Sequence, residues 1–109
     1  MRLPDNPEVE LDEHGFVTDA TIWNDTLART LAKHVGLGEL SDDHFRVLRY
    51  VREHNLKDRA VPPMEDVCHH LHLEKHCVRR LFKGPLELWK VAGLTFPGTE
   101  AFTYMENEE

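Results

Sequence analysis

Glycine and proline residues divide this chain into short segments, and that division constrains the fold more than any other feature. Breaks fall at Gly36, Gly38, Pro62–Pro63, Gly84–Pro85 and Gly93. Proline inside a helix removes a backbone donor and clashes with the preceding turn, and glycine commonly follows the last residue of a helix. Between the breaks, apolar residues recur at helical spacing. The sequence therefore predicts a mainly α fold, a small bundle of about five short helices.

An N-terminal β-hairpin and five helices are predicted in detail. The helices are residues 19–35 with Asp19 as N-cap, 41–55 with Ser41 as N-cap, 64–71, 74–82 ended by Gly84, and 85–92 with Pro85 at the first position. The hairpin has strands around Val9–Leu11 and Phe16–Val17, which flank the polar loop 12–15. Because two short strands are marginal by themselves, the hairpin is expected to pack on the helices.

The length and composition predict one domain, residues 1–109, with a packed core, because 40% of the residues are hydrophobic. Residues 1–7 hold two prolines and predict a loose N-terminal arm. Residues 97–109 predict a C-terminal arm whose aromatic part docks back and whose acidic end is mobile. There is no run of 18 apolar residues and no apolar leader, and two cysteines are too few for a disulfide scaffold. These features predict a cytoplasmic protein with no membrane partner.

The charge is negative overall but unevenly distributed. Thirteen basic and twenty acidic residues give a net charge of −7, which by itself argues against a nucleic-acid partner. Residues 44–90 nevertheless carry a net charge of +4, between flanking segments of −7 and −4. Six of the eight histidines lie in this central segment. It is therefore the part of the chain most able to face an anion.

Two of the predicted helices, residues 64–71 and 74–82, have the spacing of a helix-turn-helix, in which the second helix enters the major groove of DNA. Five residues near the second helix are suited to phosphates and guanine edges: Lys75, His76, Arg79, Arg80 and Lys83. The same helix pair also occurs as plain structure, and His72 stands near the place of the usual turn glycine. DNA binding is therefore one hypothesis beside a purely structural role.

Cysteine and histidine residues concentrate in the same region. They are Cys68, His69, His70, His72, His76 and Cys77. The predicted turn at residues 72–74 breaks any continuous ligand face, and no paired metal-binding spacing occurs, so no metal site and no cofactor are predicted. Cys68 has the spacing of a core residue. Cys77 lies among basic residues that would lower its pKa if the thiol is exposed, which makes it a possible reactive thiol, although no catalytic dyad accompanies it.

Several segments, taken in order, resemble the DsrC/TusE family of sulfur-relay proteins, which includes the gamma subunit of dissimilatory sulfite reductase. The segments that carry the resemblance are Leu11–Phe16, Asp19–Asn24, Leu40–His44, Pro62–Pro63, Leu81–Pro85, and Ala92–Leu94 with Pro97. The resemblance extends over residues 8–98. It implies a small helical bundle with an N-terminal hairpin and a helix-turn-helix-like pair, in agreement with the pattern read from the residues.

The resemblance also implies where the chemistry of the family lies. A penultimate cysteine on a C-terminal arm accepts a persulfide, and in one branch of the family an upstream cysteine pairs with it. Counted from Ala92–Leu94, the upstream position falls at Trp89 and the penultimate position at Glu100, and residues 78–109 contain no cysteine. The resemblance therefore implies no catalytic residue on this arm, and an enzymatic role is not expected.

Three functions are open on this evidence. The first is a non-catalytic protein of sulfur metabolism that regulates or binds the protein partners of a sulfur-relay or sulfite-reductase system. In that case Phe96, Phe102 and Tyr104 would insert into a partner groove, unless these rings only complete the core. The second function is that of a DNA-binding regulator that uses the helix pair. The third is that of a sulfur carrier or redox sensor that uses Cys77.

Overall fold

Six α-helices follow an N-terminal hairpin in the part of the chain that the structure, a computed structural model, describes, which is residues 2–4, 6–58 and 61–107. The elements are β1 (Arg2–Leu3), β2 (Asn6–Glu10), a 3-10 turn (Ala20–Ile22), α1 (Asp25–His34), α2 (Asp42–Asp58), α3 (Met64–His70), α4 (Cys77–Phe82), α5 (Pro85–Val91) and α6 (Thr99–Asn107). The predicted fold class is confirmed. None of the described helices combines the length and apolar character that a bilayer crossing requires.

The hairpin lies earlier in the chain than predicted. β1 pairs with β2 in antiparallel orientation, whereas the predicted strand at residues 16–17 contributes only an isolated bridge between Val17 and Leu11. The described part of residues 1–7 is therefore not a loose arm. Leu3 is 1% exposed and packs with Val9 in a small core cluster. Burial of these apolar side chains stabilises the pairing despite the two prolines nearby.

The polar loop 12–15 folds around a single carboxylate. Asp12 Oδ1 accepts hydrogen bonds from the backbone N–H groups of His14 at 2.9 Å and of Phe16 at 3.0 Å. Gly15 takes a left-handed conformation with φ +89°, which glycine adopts without steric cost. The turn carries Phe16 into the core, where it is completely buried.

The first long helix begins later than predicted. Asp19 caps the 3-10 turn instead, because its carboxylate accepts hydrogen bonds from the hydroxyl and the backbone N–H of Thr21 at 2.6 and 2.9 Å. Both bonds lower the pKa of the Asp19 carboxyl, and the bond from the Thr21 hydroxyl has the larger effect. The chain is extended at Trp23. Asn24 then caps α1, its Oδ1 accepting from the backbone N–H of Leu27 at 2.8 Å.

The second long helix begins as predicted and ends later. The backbone N–H of His44 donates to Ser41 Oγ at 3.4 Å, as expected of an N-cap. The helix continues past Asn55 to residue 58, because asparagine is only mildly unfavourable inside a helix whereas proline is a firm stop. Within the predicted loop 56–63, residues 59 and 60 lie outside the described residues.

The α3–α4 pair is present, with a shorter second helix than predicted. α4 begins at Cys77 rather than at residue 74. Its end is set by Lys83, which is left-handed at φ +75°, while Gly84 is extended and precedes α5. The predicted stop at Gly84 is therefore displaced by one residue. His72 has φ +59° in the turn, the conformation for which a turn glycine is usual.

The predicted C-terminal arm contains the sixth helix, α6. Met105 on this helix is 1% exposed, and Phe102, three residues earlier on the same face, is partly buried against the main core. The prediction of about five helices did not include this one. Residues 108–109, part of the end predicted to be mobile, lie outside the described residues.

The main hydrophobic core lies between α2, α4 and α5, and α5 packs against α1, α4 and α6. Its largest completely buried side chains are Trp89, Phe16, Phe82, Leu48, Leu88 and Leu94. α5 is thus the central helix of the bundle. The position of its C-terminal end decides where the chain beyond residue 92 leaves the core.

Candidate functional site

A tryptophan and an arginine hold the base of the C-terminal arm. Trp23 Nε1 donates a hydrogen bond of 2.9 Å to the carbonyl oxygen of Val91, and the Arg52 guanidinium lies 4.5 Å from the centre of the Trp23 ring. Arg52 also donates to the carbonyl oxygens of Ala92 at 2.8 Å and Gly93 at 3.2 Å. The last carbonyls of a helix lack partners within it, so these bonds satisfy the end of α5. Burial lowers the pKa of Arg52.

Gly93 allows the arm to start against this tryptophan. Its φ is +64°, and a Cβ at this position would collide with the Trp23 ring. We call Trp23, Arg52 and Gly93 the arm anchor. The anchor fixes the place and direction in which residues 94–98 leave α5.

Position 89, where the family resemblance places the upstream cysteine, is occupied by a core residue. Trp89 is 1% exposed, and its indole Nε1 donates to the carbonyl oxygen of Thr95 at 2.9 Å. The hydrogen bond draws the first residues of the arm back over α5. An indole cannot accept or pass on a sulfur atom.

Position 100, where the resemblance places the sulfur-bearing cysteine, lies in a helix. Glu100 is exposed in the first turn of α6. A carboxylate there is favoured by the positive end of the helix dipole. At this position the chain therefore has a helix start where the family pattern has a reactive chain end.

Two of the three predicted partner-binding aromatics pack on the body of the protein. The centre of the Phe96 ring lies 4.9 Å from that of His14 and 5.5 Å from that of Phe102. The centre of the Phe102 ring lies 4.8 Å from that of His14 and 6.1 Å from that of Phe16. Tyr104 by contrast is 39% exposed. The geometry thus places Phe96 and Phe102 in an aromatic cluster with His14 and Phe16, and leaves Tyr104 at the surface.

The two cysteines form a disulfide across the helix pair. Cys68 of α3 is bonded to Cys77, the first residue of α4, with a Cα–Cα distance of 5.7 Å. Both are buried, at 1% and 0% exposure. The exposed, low-pKa thiol envisaged at Cys77 is therefore not what the structure contains. The turn between α3 and α4 folds these two cysteines, nine residues apart, against each other.

A small cavity lies beside one end of this disulfide. Its volume is about 80 Å³, and its lining is Met64, Glu65, Cys68, Lys75, His76, Val78, Arg79 and Pro85. Three of these side chains are basic, and one is acidic. The Lys75 Nζ atom lies 3.9 Å from the Glu65 carboxylate, so that lysine and glutamate partly neutralise each other.

The five residues predicted to contact DNA do not form one free basic face. Arg80 is paired with Glu74, and Lys75 is paired with Glu65. Lys83 Nζ donates to a backbone carbonyl oxygen at 3.1 Å. His76 and Arg79 line the cavity beside the disulfide. DNA binding through the helix pair stays a prediction that the structure does not test.

The histidines of the central segment make aromatic and backbone contacts. The rings of His54 and His70 lie 5.8 and 4.8 Å from that of Tyr50, centre to centre. His44 Nε2 lies 2.8 Å from the carbonyl oxygen of Leu81. Within the described ranges, no three His, Cys, Asp or Glu side chains are grouped so that they could hold a metal ion.

Sequence reasoning missed the arm anchor. The pattern predicts Trp23 within the helix 19–35 and assigns no role to Arg52. The hydrogen bond from Trp23 spans 68 residues, and periodicity carries no information on such contacts. The one available signal was Gly93, a glycine directly after a predicted helix, which marks a turn but not its neighbour.

Comparison with known proteins identifies a family of similar proteins. The sequence profile of the family described as DsrC like protein matches residues 4–99. Sulfurtransferase TusE of Salmonella choleraesuis is 32% identical over 106 aligned residues, covering 89% of this chain and 96% of that protein. Sulfurtransferase TusE of Escherichia coli is 29% identical with the same coverage. The family profile ends at the first residue of α6.

Solved structures agree with the sequence matches. The oxidized gamma-subunit of the dissimilatory sulfite reductase (DsrC) from Archaeoglobus fulgidus superposes with a TM-score of 0.73 at 28% identity, covering 84% of this chain and 90% of that one. A chain in the structure of dissimilatory sulfite reductase I has a TM-score of 0.71 at 22% identity, covering 84% of this chain and 89% of that one, and supports the fold alone.

Proposed function

Since this chain belongs to the DsrC-like family of sulfur-relay proteins, we propose that it is a non-catalytic, regulatory member that binds relay partners and carries no sulfur on its arm. One observation carries the proposal. At the two positions where the family resemblance places sulfur-bearing cysteines, the chain has the buried Trp89 and the helical Glu100. A persulfide requires a thiol, and the arm has none.

The relatives support one class of partner. The TusE proteins of Salmonella and Escherichia are sulfurtransferases, and the Archaeoglobus protein is a gamma subunit of dissimilatory sulfite reductase. A chain that keeps their fold and lacks a thiol on its arm would occupy the docking site on a partner protein without passing on a sulfur atom. The partner is accordingly a protein of a sulfur-relay or sulfite-reductase system.

α6 supplies the surface for this binding. Tyr104 is exposed on α6, and tyrosine is among the residues most often found at the centre of interfaces. Phe96 and Phe102 pack against the main core and so attach the arm to the body of the protein. In this arrangement the arm presents one aromatic ring to a partner while it stays folded on the protein.

Competition with an active relative tests the proposal. The full chain is added to a sulfur-transfer assay in which a TusE or DsrC relative passes labelled sulfur to its own partner. We expect the transfer rate to fall as this chain is added, and binding to the partner to be measurable by calorimetry. Transfer that proceeds unchanged at a large excess of this chain, with no heat of binding, would contradict the partner-binding role.

Two variants separate the arm from the rest of the fold. Tyr104→Ala removes the exposed ring and is expected to weaken competition at least tenfold, a loss of about 1.4 kcal/mol or more. Leu56→Ala, at another exposed apolar side chain far along the sequence, is the matched control and should compete like the parent. Equal effects of the two variants would place the interface elsewhere.

The alternative function, regulation through DNA binding, is tested by a separate experiment. The helix pair has the spacing of a DNA-binding motif, but carboxylates already pair with Arg80 and Lys75. Capture of genomic DNA fragments over a salt series decides between the two partner classes. Enrichment of a few fragments that survives moderate salt would favour DNA, whereas its absence at low salt favours the protein partner.

A further inference from the structure

Of the two disulfide-bonded residues, one lines a pocket. Cys68 lines the pocket of about 80 Å³ beside α3 and α4, and Cys77 is not among the lining residues. Attack on one sulfur of a disulfide releases the other as the leaving thiolate. A reagent that reaches the disulfide from this pocket would therefore attack Cys68 and release Cys77.

The pocket has room for several water-sized molecules. A water molecule needs roughly 10–15 Å³ of such space, and the pocket has about 80 Å³. Hydrosulfide, a single sulfur atom with one proton, therefore fits beside Cys68.

The lining attracts anions. His76, Lys75 and Arg79 are among the lining residues, which include a single carboxylate, that of Glu65. Like charges on a cleft wall raise the local concentration of an oppositely charged reagent. The species that opens a disulfide is the anion of the attacking thiol. The same side chains would also stabilise the negative charge that appears on sulfur when the bond breaks.

We propose that hydrosulfide enters this cavity, opens the Cys68–Cys77 disulfide and leaves its sulfur atom on Cys68. The sulfur of HS⁻ attacks Cys68 Sγ, a new S–S bond forms, and the Sγ–Sγ bond breaks. The products are a Cys68 persulfide, which keeps the proton of HS⁻, and a Cys77 thiolate, which keeps the negative charge. No other oxidant or reductant takes part, because the disulfide itself is the oxidant.

The reaction would change the helix pair. While the disulfide is closed, it joins α3 to α4 by a second covalent link besides the backbone turn, and both helices pack against α2. Opening it removes that link and adds a sulfur atom to the cavity. The chain would thus respond to reduced sulfur at a place remote in sequence from the arm. The inference does not depend on partner docking, so failure of the competition assay leaves it standing.

Mass spectrometry of the full, oxidised chain tests the proposal. After brief treatment with sodium hydrosulfide and rapid alkylation, we expect a gain equal to one H₂S, about 34 Da before alkylation, with the extra sulfur on the peptide that contains Cys68. Cys77→Ala cannot form the disulfide and should gain no sulfur. Extra sulfur on the Cys77 peptide, a disulfide that resists hydrosulfide, or a dithiol with no persulfide at the earliest times would each overturn the proposal.

A charge variant tests the role of the cavity. Arg79→Gln is expected to slow opening by hydrosulfide by roughly threefold to tenfold, as removal of one steering charge does. Opening by a neutral phosphine should not change. Lys33→Gln, which removes an exposed charge on α1 that lines a different cavity, is the matched control. Equal slowing with both reagents, or in both variants, would show that the cavity charges do not guide the anion.

Discussion

At the scale of single residues, the arm anchor shows how three side-chain choices determine where the chain goes. Gly93 makes room for the Trp23 ring, the ring receives the Arg52 guanidinium, and Arg52 completes the end of α5. The three residues depend on one another, because the Trp23 ring lies against both Gly93 and the Arg52 guanidinium. The anchor is therefore more sensitive to substitution than its partly exposed position would imply.

Gly93→Ala is predicted to destabilise the protein by about 3 kcal/mol. A left-handed backbone costs a non-glycine residue roughly 1–3 kcal/mol, and the collision with Trp23 adds a packing cost of similar size. Chemical denaturation measures the change. Gly38→Ala is the control, because nothing lies within 4 Å of a Cβ at that position, and its stability should not fall. A loss at position 38 equal to that at 93 would refute the steric explanation.

Arg52→Lys is predicted to cost about 2 kcal/mol although the charge is kept. Arg52 donates to the carbonyl oxygens of Ala92, Gly93 and Ala20, and an ammonium group cannot reproduce this planar fork. Arg49→Lys is the comparison, because Arg49 pairs with Asp25 at the surface, where such pairs are worth little. In thermal unfolding, the Arg52→Lys variant should have a clearly lower melting temperature than the Arg49→Lys variant. Similar melting temperatures would show that the planar guanidinium is not required.

At the scale of elements, the sequence predicts those helix ends that a proline, a glycine or a single cap residue marks, and misses the others. α3, α5 and the beginning of α2 lie where glycine, proline and cap residues place them. α1 starts late because two capping side chains, Asp19 and Asn24, compete for the same segment. α6 escapes prediction because its buried face needs only Met105 and Phe102. Local chemistry marks the candidate ends of a helix, whereas packing decides which of them is used.

The disulfide is expected to stabilise the α3–α4 pair. Linking two cysteines nine residues apart is predicted to stabilise the folded chain by about 2–3 kcal/mol, because a closed loop of that length has less entropy when unfolded. Denaturation of the oxidised chain with and without reductant measures this. The Cys68→Ala, Cys77→Ala double variant should be insensitive to the reductant. If it responds as strongly as the parent, the effect does not come from this bond.

Removal of α6 is predicted to cost about 2–4 kcal/mol while the rest of the fold persists. Truncation after Gly98 exposes the pocket of Met105 and uncovers Phe96, each worth part of a buried side chain. Truncation after Asn107 is the control and should leave stability unchanged. Circular dichroism and denaturation test both. A global loss of helix in the first variant would mean that α6 is required for folding rather than added to a complete domain.

At the scale of the whole molecule, the sequence predicts only those features of the candidate site that do not depend on contacts between distant residues. The absence of cysteine at positions 89 and 100 is visible in the sequence. What replaces the cysteines is not, because Trp89 serves the core through its hydrogen bond to Thr95, and Phe96 meets His14 from the other end of the chain. Long-range contacts of this kind depend on how the elements pack, and no spacing rule contains them.

α6 carries Phe102 into the aromatic cluster with His14 and Phe96, and this packing has a kinetic consequence. A partner that binds Tyr104 meets it on the folded helix and has no opening step to wait for. In stopped-flow measurements, the observed association rate should then rise linearly with partner concentration. A rate that levels off would mean that the partner binds Phe96 or Phe102 instead, because α6 must then detach before these rings are accessible. The last helix would in that case set the upper limit of the association rate.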